Sequence, residues 1–183
     1  MHGVITLSVE EHEDLAQTQR GNTTVGVAIL TVSDTRTLAT DSSGEAVKRH
    51  LENAGHQVIC RSLVPDEAEK IRSSILDSAI TEGVDAIILT GGTGISPRDR
   101  TTDVLRSLPG IDVEGFGELF RMLSFKTIGP AALLSRAAAR VVELDNGRRL
   151  ATFALPGSLN AVETALEELI VPILLHVVWE TTR

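Results

Sequence analysis

The chain is predicted to fold as a three-layer α/β/α domain built on a mostly parallel sheet. Three observations predict it. Short apolar runs alternate with stretches of helical periodicity from residue 25 almost to the end of the chain, the pattern of strands and helices in turn. Residues 25–32 (VGVAILTV) and 86–89 (AIIL) are almost continuously apolar, which suits strands buried on both faces rather than on one. Four of the runs end in polar turns, at Ser33-Asp34, Pro65-Asp66, residues 91–99 and Pro156-Gly157-Ser158. Parallel strands gather their carboxyl ends on one edge, and in open α/β sheets ligands bind there.

The elements follow in order. Residues 1–24 are polar and acidic and are expected to form an N-terminal extension; residues 25–183 form the domain. Residues 25–32 are the first strand. Ser42 and Glu45 are spaced as a capping box, Val47, Leu51 and Ala54 recur at helical spacing, and Gly55 closes that helix. Residues 57–64 are the second strand, with the single cysteine, Cys60, inside it as a small buried hydrophobe. Ile71, Ile75 and Ala79 mark the next helix, and residues 84–90 the central strand. Residues 101–108 read as a short helix closed by Pro109-Gly110. Phe116, Leu119, Phe120 and Leu123 give residues 115–126 an apolar face, for core packing or a subunit interface. Gly129-Pro130 breaks the chain, and residues 131–142 (AALLSRAAARVV) read as helical. Asp145-Asn146-Gly147 is a turn and residues 150–155 a strand. Ser158 is placed to cap a final helix carrying Val162, Ala165, Leu166 and Leu169, which Pro172 kinks or ends. The apolar tail 173–179 packs on the core or on a partner.

Composition narrows the function. The net charge is −8, from 17 Lys and Arg against 25 Asp and Glu, which argues against a general nucleic-acid or anionic-membrane binder. A local basic pocket is still available from Arg98, Arg100, Arg121, Lys126 and Arg136. One cysteine allows no intrachain disulfide, and the five histidines form no zinc-type spacing. No stretch reaches the roughly 18 apolar residues of a membrane span, and no secretory leader opens the chain, so a cytoplasmic protein is expected.

The chemistry is expected around residues 84–99 (VDAIILTGGTGISPRD). Glycines directly after a buried strand let the backbone bend and turn its N–H groups outward, and Pro97 is suited to the first turn of a helix. Together they read as an anion cradle for a phosphorylated small molecule. Neither a Walker-type loop nor a dinucleotide fingerprint is present, because Ile95-Ser96 stands where Lys-Ser/Thr is needed and Pro97 where a third glycine is needed. Asp66 and Asp99 stand out on this rim, since Mg²⁺ takes one or two carboxylates plus substrate phosphates. Both also suit helix caps, Asp66 with Glu69 and Asp99 before Arg100. No serine–histidine or cysteine–histidine pairing accompanies them. A phosphate nucleophile, with a second pKa of about 6, is already ionised at neutral pH and needs no strong base.

At this point the motifs resemble a known family. ILTVSD at 29–34, LTGGTG at 89–94, PRD at 97–99, GFGELFRMLSF at 115–125, IGPAALLSRA at 128–137 and ALPGS at 154–158 are similar to the MoaB/MogA family of molybdenum cofactor biosynthesis proteins, and closer to its MoaB branch. The resemblance implies a MogA/MoaB-like fold and molybdopterin adenylyltransferase activity, in which the terminal phosphate of molybdopterin attacks the α-phosphate of Mg-ATP. It implies catalytic and Mg²⁺-binding roles for Asp66 and Asp99, and contacts to pterin and phosphate from Ser33, Asp34, Gly91, Gly92, Thr93, Gly94, Ser96, Ser135, Pro156, Gly157 and Ser158. It further implies ATP as co-substrate, a homotrimer or homohexamer, and hand-over to a molybdate-inserting MoeA-type protein. Relatives follow PRD with a pattern near DxTxEA; here Asp103 and Val104 stand at its last two positions. A non-catalytic pterin-binding or scaffold protein on the same fold is the alternative, and a nucleotide-hydrolysing domain of the competence-damage type a third possibility.

Overall fold

A computed structural model describes residues 24–182, so the expected extension lies almost wholly outside the described residues. Six strands form one sheet in the order β2-β1-β3-β6-β5-β4. They are β1 (Gly26–Val32), β2 (Gln57–Val64), β3 (Ala86–Thr90), β4 (Gly110–Asp112), β5 (Ala138–Glu143) and β6 (Arg149–Leu155). The first four in that order run parallel, and β5 and β4 complete the sheet antiparallel. The helices are α1 (Ser42–Asn53), α2 (Ala68–Ile80), α3 (Thr101–Ser107), α4 (Glu114–Ile128), α5 (Leu159–Ala165) and α6 (Val171–Thr182).

Each parallel strand feeds both faces, as continuous apolar runs require. Val27, Ile29, Ala86, Ile88, Ala151 and Phe153 pack with α1, α4, α5 and α6. Ala28, Leu30, Ile87, Leu89, Leu150 and Ala154 pack with α2 and α3. The three-layer expectation therefore holds. Phe116 and Phe120 enter the first core, with Phe116 edge-on to Phe153 at 5.4 Å, while Phe125 is 57% exposed. The aromatic segment thus divides between core and surface. Leu174, Val178 and Trp179 bury the tail against the core, and Ile173 faces outward.

Several local expectations are corrected. Residues 131–142 are not one helix. A 3₁₀ segment over Gly129–Leu134 leads into β5, which pairs with β6 through a hairpin at Asp145-Asn146-Gly147. Alanine favours helix locally, but pairing with an otherwise open edge of β6 outweighs that preference. The cap of α1 is Asp41, one residue before the expected Ser42; its carboxylate accepts from the Gly44 N–H at 2.9 Å. Pro97 does not open a helix, since α3 begins four residues later at Thr101. Pro172 does not end its helix either. The turn before it widens to a π-turn over Leu166–Ile170, and α6 runs on to Thr182. A wider turn accommodates the carbonyl that proline cannot bond. Cys60 lies in β2 as expected, but half-buried; burial pushes its thiol pKa up against a weaker opposing bond to Ser78, leaving it a poor nucleophile. No helix among the described residues is long and apolar enough to cross a membrane.

Candidate active site

Register places the site. Val32 lies opposite Val64, Thr31 opposite Thr90, and Thr90 opposite Leu155. The four parallel strands therefore end level. The turns that follow them, at Ser33, Pro65, Gly91 and Pro156, open on one rim.

The glycine turn carries the most specific geometry. Gly91 and Gly92 have φ of 95° and 65°, values that disfavour any side chain. Thr101 donates its hydroxyl to the Gly91 carbonyl at 2.7 Å and its N–H to that of Gly92 at 3.0 Å. Arg136 donates its N–H to the Thr93 carbonyl at 2.9 Å and its Nε–H to that of Gly94 at 2.6 Å. Four consecutive carbonyls are thus held by the protein. In a trans peptide the next N–H points the opposite way, and no peptide here is cis. Among the described residues the N–H groups of Gly92, Thr93, Gly94 and Ile95 meet no protein acceptor. A run of uncommitted backbone N–H groups binds anions. The loop itself supplies these donors, because the expected helix start at Pro97 is absent.

Two carboxylates close over the loop. A methyl on Gly92 would lie 2.9 Å from Asp66 Oδ2, and one on Gly94 2.8 Å from Asp99 Oδ2. Neither aspartate caps in the way its sequence neighbours suggest. Asp66 Oδ1 accepts from the Arg100 N–H at 3.1 Å, and Asp99 Oδ2 from the Ser96 N–H at 2.8 Å. Each keeps one oxygen without a protein donor among the described residues. Asp34 Oδ1 accepts from the Asp66 N–H at 3.1 Å, and Asp34 Oδ2 pairs with Arg98. Burial raises the Asp66 pKa, and the carboxylates of Asp99 and Asp34 raise it further; the Arg100 N–H and Arg98 oppose them. Among the described residues no group of three or more potential metal ligands forms, so a cation here would rest on two carboxylates and on phosphate oxygens.

The remaining predicted residues are held at the same rim. Ser33 Oγ accepts from the N–H groups of Thr35 and Arg36 at 3.3 and 3.2 Å, which leaves its hydroxyl proton to donate. Arg36 and Ser43 both donate to the Gly157 carbonyl, at 2.9 and 2.7 Å. This fixes Pro156-Gly157-Ser158 against Gly91, whose Cα would lie 3.3 Å from a methyl on Gly157. Ser158 occupies the N-cap position of α5 without a side-chain bond. Ser135 is brought to the loop by the Arg136–Thr93 bond beside it, and its Oγ accepts from the Ala137 N–H at 3.3 Å. Among the described residues the candidates for a local basic pocket do not gather at this rim. Arg98 is spent on Asp34 and Arg136 on the loop carbonyls; Arg121 lines a separate groove with Arg106 and Asp112, and Lys126 is exposed on α4. Thr101, Arg36 and Ser43 were missed by the sequence reading, and no motif around them signals their bonds to distant turns.

A level strand edge, a glycine turn with outward N–H groups and a carboxylate pair share one rim of an α/β domain. The chain belongs to the MoaB/MogA family of molybdenum cofactor biosynthesis proteins. Residues 28–176 match the family model described as "Probable molybdopterin binding domain". The Bacillus subtilis protein named Molybdenum cofactor biosynthesis protein B is 42% identical over 178 residues, covering 97% of this chain and 99% of that one. A crystal structure of a protein of that name superposes with a TM-score of 0.81 at 41% identity, covering 86% of this chain and 95% of the other. The tungsten cofactor synthesizing protein MoaB from Pyrococcus furiosus gives 0.78 at 31% identity, over 88% and 99%.

Proposed function

We propose that the protein is a molybdopterin adenylyltransferase that uses Mg-ATP. One observation carries the reading: the Asp66 and Asp99 carboxylates lie over Gly92 and Gly94, beside four consecutive backbone N–H groups with no protein acceptor among the described residues. The phosphate of molybdopterin suits those donors, and the hydroxyls of Ser33 and Ser158 stand on the same rim. An oxygen of that phosphate forms a bond to the α-phosphorus of ATP; the α–β P–O bond breaks and pyrophosphate leaves. The site holds no strong base, and a phosphate already ionised at neutral pH asks for none. Catalysis then rests on alignment and on stabilisation of charge by fixed donors.

Asp66 and Asp99 fit Mg²⁺ because each presents an oxygen without a protein donor and because their mutual repulsion is relieved by a cation. When bound, the ion would supply charge neutralisation at the phosphates. Asp103, where the family pattern suggests a glutamate, keeps a negative charge in an ion pair with Arg136 at 2.7 Å, which supports a working site. The same reading includes the cytoplasm as location, hand-over of the product to a MoeA-type protein, and a homotrimer or homohexamer. Exposed Leu119, Met122, Phe125, Ile128, Leu133 and Leu134 support the assembly.

An assay with purified molybdopterin, ATP and Mg²⁺ tests the reading. Pyrophosphate release is expected only with all three present. Asp66→Ala and Asp99→Ala are each expected to lower turnover by about 100-fold or more, with pterin binding retained. Full turnover in both variants would remove these roles. Tight pterin binding without transfer would favour the scaffold alternative, and AMP or phosphate release without pterin a nucleotide hydrolase.

A further inference from the structure

We infer that Arg136 is the positioning residue of this site. The inference rests on the reading of the glycine turn as a phosphate cradle. Arg136 bonds at five points along one stretch of chain. Its N–H and Nε–H hold the carbonyls of Thr93 and Gly94, and its Nη2 holds that of Asp99 at 2.7 Å. Its Nη1 pairs with Asp103 at 2.7 Å, and its own carbonyl accepts from the Thr102 hydroxyl at 2.9 Å.

The consequence follows from peptide planarity. Each carbonyl drawn toward Arg136 turns the next N–H away from it. For Thr93 and Gly94 the turned groups are the free N–H groups of Gly94 and Ile95. For Asp99 it is the N–H of Arg100, which donates to Asp66 Oδ1 at 3.1 Å. Backbone and side chain of this one residue therefore orient half of the cradle; the guanidinium itself sets the Ile95 N–H through Gly94 and, through the Asp99–Arg100 peptide plane, reaches one of the two carboxylates. It also pins both ends of the 95–98 turn, on which Asp99 depends. The planar fork is necessary: Nε and Nη2 serve two separate carbonyls at once, whereas a lysine ammonium is a point donor on a flexible stem. The sequence suggests a substrate-facing cation at this position; the structure turns it away from the rim and makes it support the loop from behind.

The test compares the full chain with Arg136→Ala and Arg136→Lys, with thermal unfolding recorded for each. Three measurements are made: adenylyl transfer, calorimetric titration with inorganic phosphate in the presence of Mg²⁺, and transfer with millimolar guanidinium chloride against sodium chloride of equal ionic strength. Turnover is expected to fall about 100-fold in Arg136→Ala, the usual result of a displacement near 1 Å, and about 10-fold in Arg136→Lys. Phosphate binding is expected to weaken at least about tenfold in Arg136→Ala. Guanidinium, but not sodium, is expected to restore part of the lost turnover, which a general loss of stability does not permit. Wild-type phosphate affinity and turnover in both variants would overturn the inference, as would a folded Arg136→Lys variant indistinguishable from the wild type. If the wild type binds phosphate but transfers no adenylyl group, the enzymatic reading fails while the phosphate titration still decides the role of Arg136.

Discussion

At the residue scale, Gly92 and Asp66 are the sensitive pair. A methyl on Gly92 would fall 2.3 Å from the Thr101 hydroxyl at a positive φ, so Gly92→Ala must displace either the turn or the start of α3. It is expected to cost about 1–3 kcal/mol of stability, read by denaturant unfolding, and to abolish phosphate binding. Asp66 shows the opposite balance. Its folded pKa lies above its unfolded value, so its contribution to stability is fully present below the unfolded pKa and is lost as pH rises through the folded one. Asp66→Asn is therefore expected to raise the melting temperature at neutral pH without Mg²⁺, while turnover collapses. Mg²⁺ favours the ionised carboxylate. Its affinity, followed by titration calorimetry, should tighten as pH rises through the raised pKa of Asp66.

At the scale of elements, the buried Asp41 joins β1, α1 and β2. It caps α1 at Gly44, accepts from the Thr31 hydroxyl at 2.7 Å and pairs with Arg61 at 2.9 Å. Burial works to raise its pKa, but these donors outweigh it and hold the carboxyl below its usual value. The resulting stability is present above the unfolded pKa and is lost as pH falls through the lower folded one. Asp41→Ala removes the cap and takes from Arg61 its buried carboxylate partner, leaving it the carbonyl of residue 41 and the exposed Glu45. A loss of about 3 kcal/mol is expected, seen as a lower denaturant midpoint with an unchanged slope. Arg140 does similar work at the far edge, where it bonds Asp112 on β4 at 2.6 Å and the carbonyls of Leu108 and Gly110. These contacts hold a three-residue strand whose residues are all exposed.

At the scale of the molecule, the outer face of α4 and the 3₁₀ segment leaves six large apolar side chains in water, with Leu133 78% exposed. Exposed apolar side chains gathered on neighbouring segments are what the proposed assembly needs to cover. Light scattering is expected to give a trimer or hexamer at micromolar concentration. The double variant Leu119→Glu/Phe125→Glu should shift it toward monomer while the folded core, to which Phe116 and Phe120 belong, keeps its circular dichroism. A wild type that runs as a monomer would refute the assembly.

Local pattern alone determined the α/β class, the positions of β1, β2, β3 and β6, and the residues of the rim, because a buried parallel strand leaves a continuous apolar run and its polar turn lies directly after it in the chain. It placed Asp66, Asp99 and the glycine turn together for the same reason. Tertiary structure decided what adjacency in sequence does not encode. Residues 138–143 are helix-favouring by composition and become a strand because β6 offers an edge to pair with. Asp66 and Asp99 do not cap the helices beside them, because the Arg100 N–H reaches Asp66 and the Ser96 N–H reaches Asp99. Arg136 lies 42 residues from Gly94, and only the returning strand β5 sets its planar fork behind the loop. A hydrogen bond between distant segments depends on where the sheet carries them, and that is settled by packing of the whole domain rather than by the residues on either side.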